Sequence, residues 1–272
     1  MQKFARVSLF YLDKGFAMKQ SLRHQKIIKL VGQSGYLSTE ELVVALDVSP
    51  QTIRRDLNIL AELDLIRRHH GGAASPSSAE NSDYVDRKQF FSLQKNNIAQ
   101  EVAKLIPNGA SLFIDIGTTP EVVANALLGH EKLRIVTNNL NAAHLLRQNE
   151  SFDIVMAGGS LRMDGGIIGE ATVNFISQFR LDFGILGISA IDADGSLLDY
   201  DYHEVQVKRA IIESSRQTLL VADHSKFSRQ AIVRLGELSD VEYLFTDDVP
   251  EGIVNYLKAQ KTKLVLCNGK VR

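Results

Sequence analysis

From Lys95 onward the chain alternates short apolar runs with helical patterns, and this alternation restricts its fold more than any other feature. Ile98, Val102 and Leu105 recur at helical spacing, SLFIDI follows as a short apolar strand, TPEVVANALL is helical, and LRIVT is a second strand. NAAHLLRQ returns to helix and FDIVMAGG to strand. Strands separated in this way predict a mostly parallel sheet with helices on its faces.

Ligands of such sheets gather at the carboxyl ends of the strands, which directs attention to the strand-to-helix turns. The turn after SLFIDI is DIGTTPE. Gly117 lets a backbone approach closely, Thr118 and Thr119 offer hydroxyls, and the following helix supplies unpaired N–H groups for a phosphate. The next turn brings Thr137, Asn138 and Asn139, and the third, AGGSLRMDGGIIGE, is rich in glycine and carries Arg162. Each also has a structural reading, as a tight turn or a helix cap; the functional one rests on their convergence. Lys226, just beyond the strand TLLVA, is placed to meet an anion, whereas Glu204 and Lys208, four apart on a helix, fit an exposed ion pair equally well.

In front of this half, GGAASPSSAENS is small and polar with almost nothing to bury, the composition of a flexible linker. It closes a first domain over residues 18–75 and opens a linker over 76–94, leaving 95–272 as the second domain. Tyr84 to Gln94 packs against one domain or a partner subunit; the sequence leaves open which. Residues 1–17 interrupt their apolar patch with Asp13 and Lys14, unlike a secretory signal, and are expected to be a disordered or upstream-start extension. The single cysteine, Cys267, excludes an intrachain disulfide and a CxxC metal site and fits a reducing cytoplasm. No apolar run approaches the roughly 18 residues of a membrane span.

The formal net charge is only −1, yet SPQTIRRDLNILAELDLIRRHHGGAA gathers four arginines and two histidines. A helix with Leu22, Ile27, Leu30 and Val31 at helical spacing precedes it, closed by Gly32 and Gly35. STEELVVAL starts a second helix with Ser38 and Glu41 as a capping box, and Ser49-Pro50 starts a third. LIRRHHGGAA reads as a short strand, a Gly-Gly turn and a return. Three helices and a basic hairpin make a winged helix-turn-helix, whose second motif helix enters the major groove. Arg54 and Arg55 can fork onto guanine edges or phosphates, Gln51 can pair with adenine, and Thr52 suits phosphate or a thymine methyl. Arg67, Arg68, His69 and His70 fall on the wing, and Ser38, Thr39 and Ser49, at the helix starts, are placed with the DNA-facing set. Asp56 interrupts the basic run and is expected to orient an arginine.

Arg23, Ile27, Val31, Ser49, Thr52, Ile53, Arg54, Arg55, Asp56 and Leu57 stand at the spacing of the helix-turn-helix signature of the DeoR family of bacterial repressors. The chain resembles that family from about Met18 to Cys267, through SPQTIRRDL, RHHGGAA, LFIDIGTTPE, RIVTNNLN, GGIIGEAT, FISQFRLDFGILGIS and DYHEV. The resemblance implies a cytoplasmic, homo-oligomeric repressor of operator DNA with no cofactor. Its sensor would be an α/β domain similar in fold to ribose-5-phosphate isomerase and the CoA-transferase-like group, preceded by the small winged helix-turn-helix domain. The inducer would be a phosphorylated sugar or polyol, held by Asp115, Gly117, Thr118, Thr119, Asn138, Asn139 and Lys226. The nearest likeness within the family implies glycerol 3-phosphate and control of glycerol metabolism.

Two rivals remain at this point. A sugar-phosphate isomerase with a DNA-binding appendage needs a carboxylate base, and GISAIDADG, with Asp192 and Asp194, matches the isomerases' DGADE-type run only loosely. A second domain that merely dimerises would not need phosphate-type turns.

Overall fold

Residues 20, 22–31, 36–63, 65–69, 71–74, 84–89 and 91–268 are described by the computed structural model. Residues 1–17, Gly32, Gly35 and His70 lie outside them. The chain divides into two units, Met1–Ser77 and Ser78–Arg272.

Local capping signals start the helices of the first unit. α1 covers 22–31. α2 (Thr39–Leu46) begins with the expected box: Ser38 Oγ accepts from Glu41 N at 3.1 Å, and Glu41 Oε2 accepts from Ser38 N at 2.7 Å. It stops at Asp47, whose φ of 50° cannot continue a helix. α3 (Pro50–Glu62) begins where Ser49 Oγ accepts from Thr52 N at 3.2 Å, with proline in the first turn. Ile27 and Val31 of α1, Leu42 of α2, and Ile53, Leu57 and Leu60 of α3 close one core. Leu22, at the start of α1, stays exposed.

The wing has three strands where two were expected. β1 (Tyr36–Ser38) and β2 (Arg67–His69) both pair antiparallel with β3 (Gly72–Ala74), so Tyr36 and Arg67 stand opposite Ala74. Three residues are too few for a period, and β1's partner lies far along the chain, so no local signal marks it. Glycine is required at 72 because a Cβ there would come within 2.3 Å of the Leu37 carbonyl oxygen.

In the second unit α4 (Tyr84–Gln89) and α5 (Ser92–Leu105) precede β4 (Ser111–Ile114), α6 (Thr118–Ala126), β5 (Arg134–Thr137), α7 (Leu140–Leu146) and β6 (Asp153–Met156). Then come β7 (Ser160–Leu161), β8 (Ile167–Ile168), α8 (Glu170–Ile176), β9 (Leu181–Gly187), β10 (Ala190–Ile191), β11 (Ser196–Asp199) and α9 (Tyr202–Ser214). β12 (Ser215–Val221), β13 (Val233–Glu237), β14 (Tyr243–Thr246), α10 (Glu251–Leu257) and β15 (Lys263–Leu266) complete it. Helix thus replaces much of the linker expected over 76–94.

Seven strands form one sheet in the order β15-β14-β12-β9-β4-β5-β6, parallel throughout. Alternate side chains feed two cores, as the strand period of two requires. Leu112, Ile114 and Ile135 meet α5, α6 and α7 on one face, while Phe113 and Val136 meet α8, α9 and α10 on the other. Burying each such large apolar side chain contributes about 1.5–3 kcal/mol. The chain runs outward from β4 through β5 to β6, then returns to β9 on the other side of β4. The strand order reverses there, so the carboxyl ends of β4 and β9 form the switch point at which open parallel sheets bind their ligands.

Candidate functional site

On α3 of the first unit, Gln51, Arg54, Arg55 and Asn58 are exposed at positions i, i+3, i+4 and i+7, one continuous stripe. Ile53, Asp56, Leu57 and Leu60 face inward. Asp56 is buried and accepts from Arg23 Nε at Oδ2 and, at 3.0 Å, from Arg23 Nη2 at Oδ1, where His24 Nε2 also lies at 3.0 Å. Burial pushes the Asp56 pKa up, but these bonds outweigh it and hold the carboxyl below its usual range. The expected arginine partner therefore exists, and it comes from α1.

Arg67 and Arg68 are exposed on the wing, where Arg68 Nη1 donates to the Arg54 carbonyl at 3.3 Å and ties wing to α3. Thr39 does not fit its expected place at DNA, because its side chain is 4% exposed and its N–H donates to the Gly71 carbonyl at 2.7 Å. Ser38 and Ser49 spend their hydroxyls on caps, and Thr52 Oγ1 lies 2.9 Å from Ser49 Oγ.

In the second unit Gly117, with φ of 126°, precedes α6, a conformation that favours glycine. Thr118 and Thr119 open the helix, whose first N–H groups have no partners within it. Lys226 sits in a short turn, His224–Ser228, that Asp223 caps beyond β12. Two basic groups not foreseen join it. Lys95 is buried and donates to the Arg87 carbonyl. Burial lowers the Lys95 pKa to about 8, Asp223 opposes that, and the positive charges of Lys226 and Arg87 add to it. Burial, opposed by Asp223 and reinforced by Arg87, likewise lowers Lys226. Lys95 stands three residues before Ile98 on the buried stripe of α5, and a lysine in that register was the available clue.

Three expected ligand residues have other work. Asp115 accepts from Lys208 Nζ at 2.6 Å, with both side chains almost wholly buried. Asn139 caps α7, its Oδ1 accepting from Asn141 N at 3.0 Å and Ala142 N at 3.1 Å. Asn138 Nδ2 donates to the Ile167 carbonyl at 3.0 Å, holding the β7–β8 hairpin. Thr137 Oγ1 donates to the Ile114 carbonyl at 2.6 Å. The donors are engaged because a buried donor without a partner is costly, whereas Asp115 Oδ1 and Asn138 Oδ1 are buried acceptors with no hydrogen-bond partner among the described residues.

Glu204 and Lys208 are also not the exposed pair that their spacing allowed. Lys208 Nζ lies 2.9 Å from Glu204 and 3.7 Å from Asp199. Arg162 bonds Glu204 at 3.0 Å, Asp201 at 3.1 Å and Asp164 at 3.0 Å, and Arg87 reaches Asp164 at 3.7 Å. Asp192 and Asp194 belong to the exposed β10–β11 turn, where Asp194 accepts from Ser196 N. That placement keeps these two carboxylates apart from the buried Asp115, Asp199 and Glu204 around Lys208. A cavity of 650 Å³ opens among α4, α5, α6 and α7, with Thr118, Glu121, Asn125, Asn141 and His144 on its walls.

A winged helix-turn-helix with a basic exposed stripe, followed by a parallel α/β unit, defines a two-domain DNA-binding regulator. The DeoR-like helix-turn-helix domain model matches residues 23–79, and the DeoR C terminal sensor domain model matches 91–248. The chain belongs to the DeoR family and is a DNA-binding transcriptional repressor. It is 98% identical over 255 residues to the glycerol-3-phosphate regulon repressor of Haemophilus influenzae strain Rd, covering 94% of this chain and 100% of that one. The Escherichia coli K12 protein of the same name is 62% identical, covering 92% and 100%. These relatives are named as repressors, not enzymes. A more distant likeness is the solved ribose 5 phosphate isomerase A of Neisseria gonorrhoeae, 18% identical, TM-score 0.36, covering 49% of this chain and 52% of that one. No helix among the described residues is long and apolar enough to cross a membrane.

Proposed function

We propose that the chain binds paired operator half-sites as a homo-oligomer in the cytoplasm and releases them when glycerol 3-phosphate enters the crevice. In this way it controls genes of glycerol and glycerol-3-phosphate metabolism. The observation that supports the effector reading is the pair of lysines, Lys95 and Lys226, that share Asp223 as a nearby carboxylate, with Lys95 also in the field of Glu121 on α6, whose start at Thr118 and Thr119 leaves N–H groups unpaired within the helix. Two ammonium groups that repel each other in a buried place are relieved by a dianion, and helix N–H groups complete its coordination. The name shared by the closely similar relatives supports glycerol 3-phosphate among phosphorylated polyols.

Each chain carries one recognition helix, which covers one half-site, so a symmetric oligomer is needed for a two-fold operator. Release requires that the inducer bind the DNA-free arrangement more tightly than the DNA-bound one; tight binding alone shifts nothing. The test is retardation of operator DNA, titrated with glycerol 3-phosphate and separately with glycerol and fructose 1-phosphate. Release by glycerol 3-phosphate alone is expected. Release by another of the three replaces the ligand, and retention through all three overturns the inducer reading.

A further inference from the structure

Two residues on the wall of the 650 Å³ cavity, Glu121 and Asn141, belong to a hydrogen-bonded cluster that neither DNA reading nor phosphate binding uses. Tyr84, the first residue of α4, donates its phenol to Glu121 Oε2 at 2.7 Å. Asn141 Nδ2 donates to that phenol at 2.9 Å, to Glu121 Oε1 at 3.1 Å and to the Asp164 carbonyl at 2.9 Å. An amide nitrogen has two hydrogens, so three acceptors compete for them and the cluster can rearrange without losing a bond. Burial, then the Glu121 carboxylate, raises the phenol's pKa and keeps it a donor.

A carboxylate that accepts beside an amide that donates is a pair that reads an alcohol. Glu121 follows Thr118 by three residues on α6, about 4.5 Å along the helix axis. A three-carbon chain with its phosphate at the α6 start therefore brings its far hydroxyl to Glu121. We propose that Glu121 and Asn141 are the hydroxyl-reading end of the inducer crevice, and that the Tyr84 phenol stands where the inducer's hydroxyl binds. This rests on the crevice reading above and adds its specificity. A ligand that ends in a carboxylate or a second phosphate meets the Glu121 charge and is refused, whereas a polyol monophosphate is accepted. To bind, its hydroxyl must displace the phenol, which loosens α4, the helix nearest in the chain to the DNA-binding unit.

Calorimetric titration of the full chain with glycerol 3-phosphate and with 3-phosphoglycerate tests this in wild type, Tyr84→Phe and Glu121→Gln. Tyr84→Phe removes the competing hydroxyl and keeps the ring, so glycerol 3-phosphate should bind about three- to tenfold tighter, the equivalent of one hydrogen bond. Glu121→Gln should bind glycerol 3-phosphate about tenfold more weakly and narrow the preference over 3-phosphoglycerate by a similar factor. Unchanged or weaker binding by Tyr84→Phe overturns the displacement, and an unchanged preference in Glu121→Gln overturns the hydroxyl reading. Equal binding of both ligands by the wild type also overturns it. A wild type that binds neither ligand removes the crevice reading as well, which separates the two failures.

Discussion

Lys208 and Asp115, 93 residues apart in sequence, meet at 2.6 Å with side chains 1% and 0% exposed. The same ammonium serves Glu204 at 2.9 Å and lies 3.7 Å from Asp199. One cation thus binds the end of β4 to β11 and α9. Removing it leaves three carboxylates without their common counter-charge. Lys208→Met should cost the second unit about 3–5 kcal/mol of stability, the range for breaking a buried pair from one side. Urea denaturation followed by circular dichroism measures it, and a loss below about 1 kcal/mol would mean that the carboxylates find other partners.

Asp199 gives this cluster a pH dependence. Burial, then the neighbouring Glu204, raises its pKa to about 7, with Lys208 opposing. An unfolded aspartate titrates near about 4. Between these values the folded chain keeps a proton that the unfolded chain has released, so this group's contribution to stability falls as pH rises and levels off above about 7. Asp199→Asn lacks that fall. Its stability relative to the wild type should rise from pH 4.5 to 7 and then stay flat; a pH-independent difference would remove Asp199 as the cause.

Arg55 lies on the exposed stripe of α3 with no part in the core. Arg55→Ala should weaken operator binding by about 1–3 kcal/mol if it forks onto a base. Titration with glycerol 3-phosphate should be unaltered. Affinities at several salt concentrations add a second readout, since a lost phosphate contact lowers the salt slope by about one.

At Gly72 the wing has no room for a side chain. An added Cβ would meet the Leu37 carbonyl at 2.3 Å and the Tyr36 hydroxyl at 2.6 Å. Gly72→Ala should destabilise the first unit by about 1–3 kcal/mol, as overpacking does, and cut operator affinity with it. Normal retardation by this variant would show that β1 and β3 can separate without harm.

Thr118→Val together with Lys226→Ala removes a hydroxyl and an ammonium from the proposed inducer site and leaves the residues of α3 unchanged. Operator binding should persist while release by glycerol 3-phosphate, the proposed inducer, disappears. Normal release by the double variant would move the crevice elsewhere.

The first unit was legible because its signals are local. Ser38 with Glu41 and Ser49 with Pro50 act within one helical turn, and the spacing of Ile53, Leu57 and Leu60 shows which face turns inward. The strand and helix alternation likewise foretold the parallel sheet. β1 escaped, since YLS has meaning only beside Ala74, Ala73 and Gly72. The segment from Tyr84 read as linker, since its anchors on Glu121 and Asn141 lie 37 and 57 residues away.

By itself the sequence determined which stretches coil, which extend, where the helices start and that basic groups crowd onto α3 and the wing, because backbone caps and side-chain periods reach only a few residues. Only the tertiary structure decided what each charged group does. It turned Asp115 toward Lys208, spent Asn138 and Asn139 on the hairpin and a helix cap, buried Thr39, and brought Lys95 and Arg87 beside Lys226. The reason is physical: a charge removed from water takes its partner from whatever the fold brings near, and in a parallel sheet that neighbour is dozens of residues away.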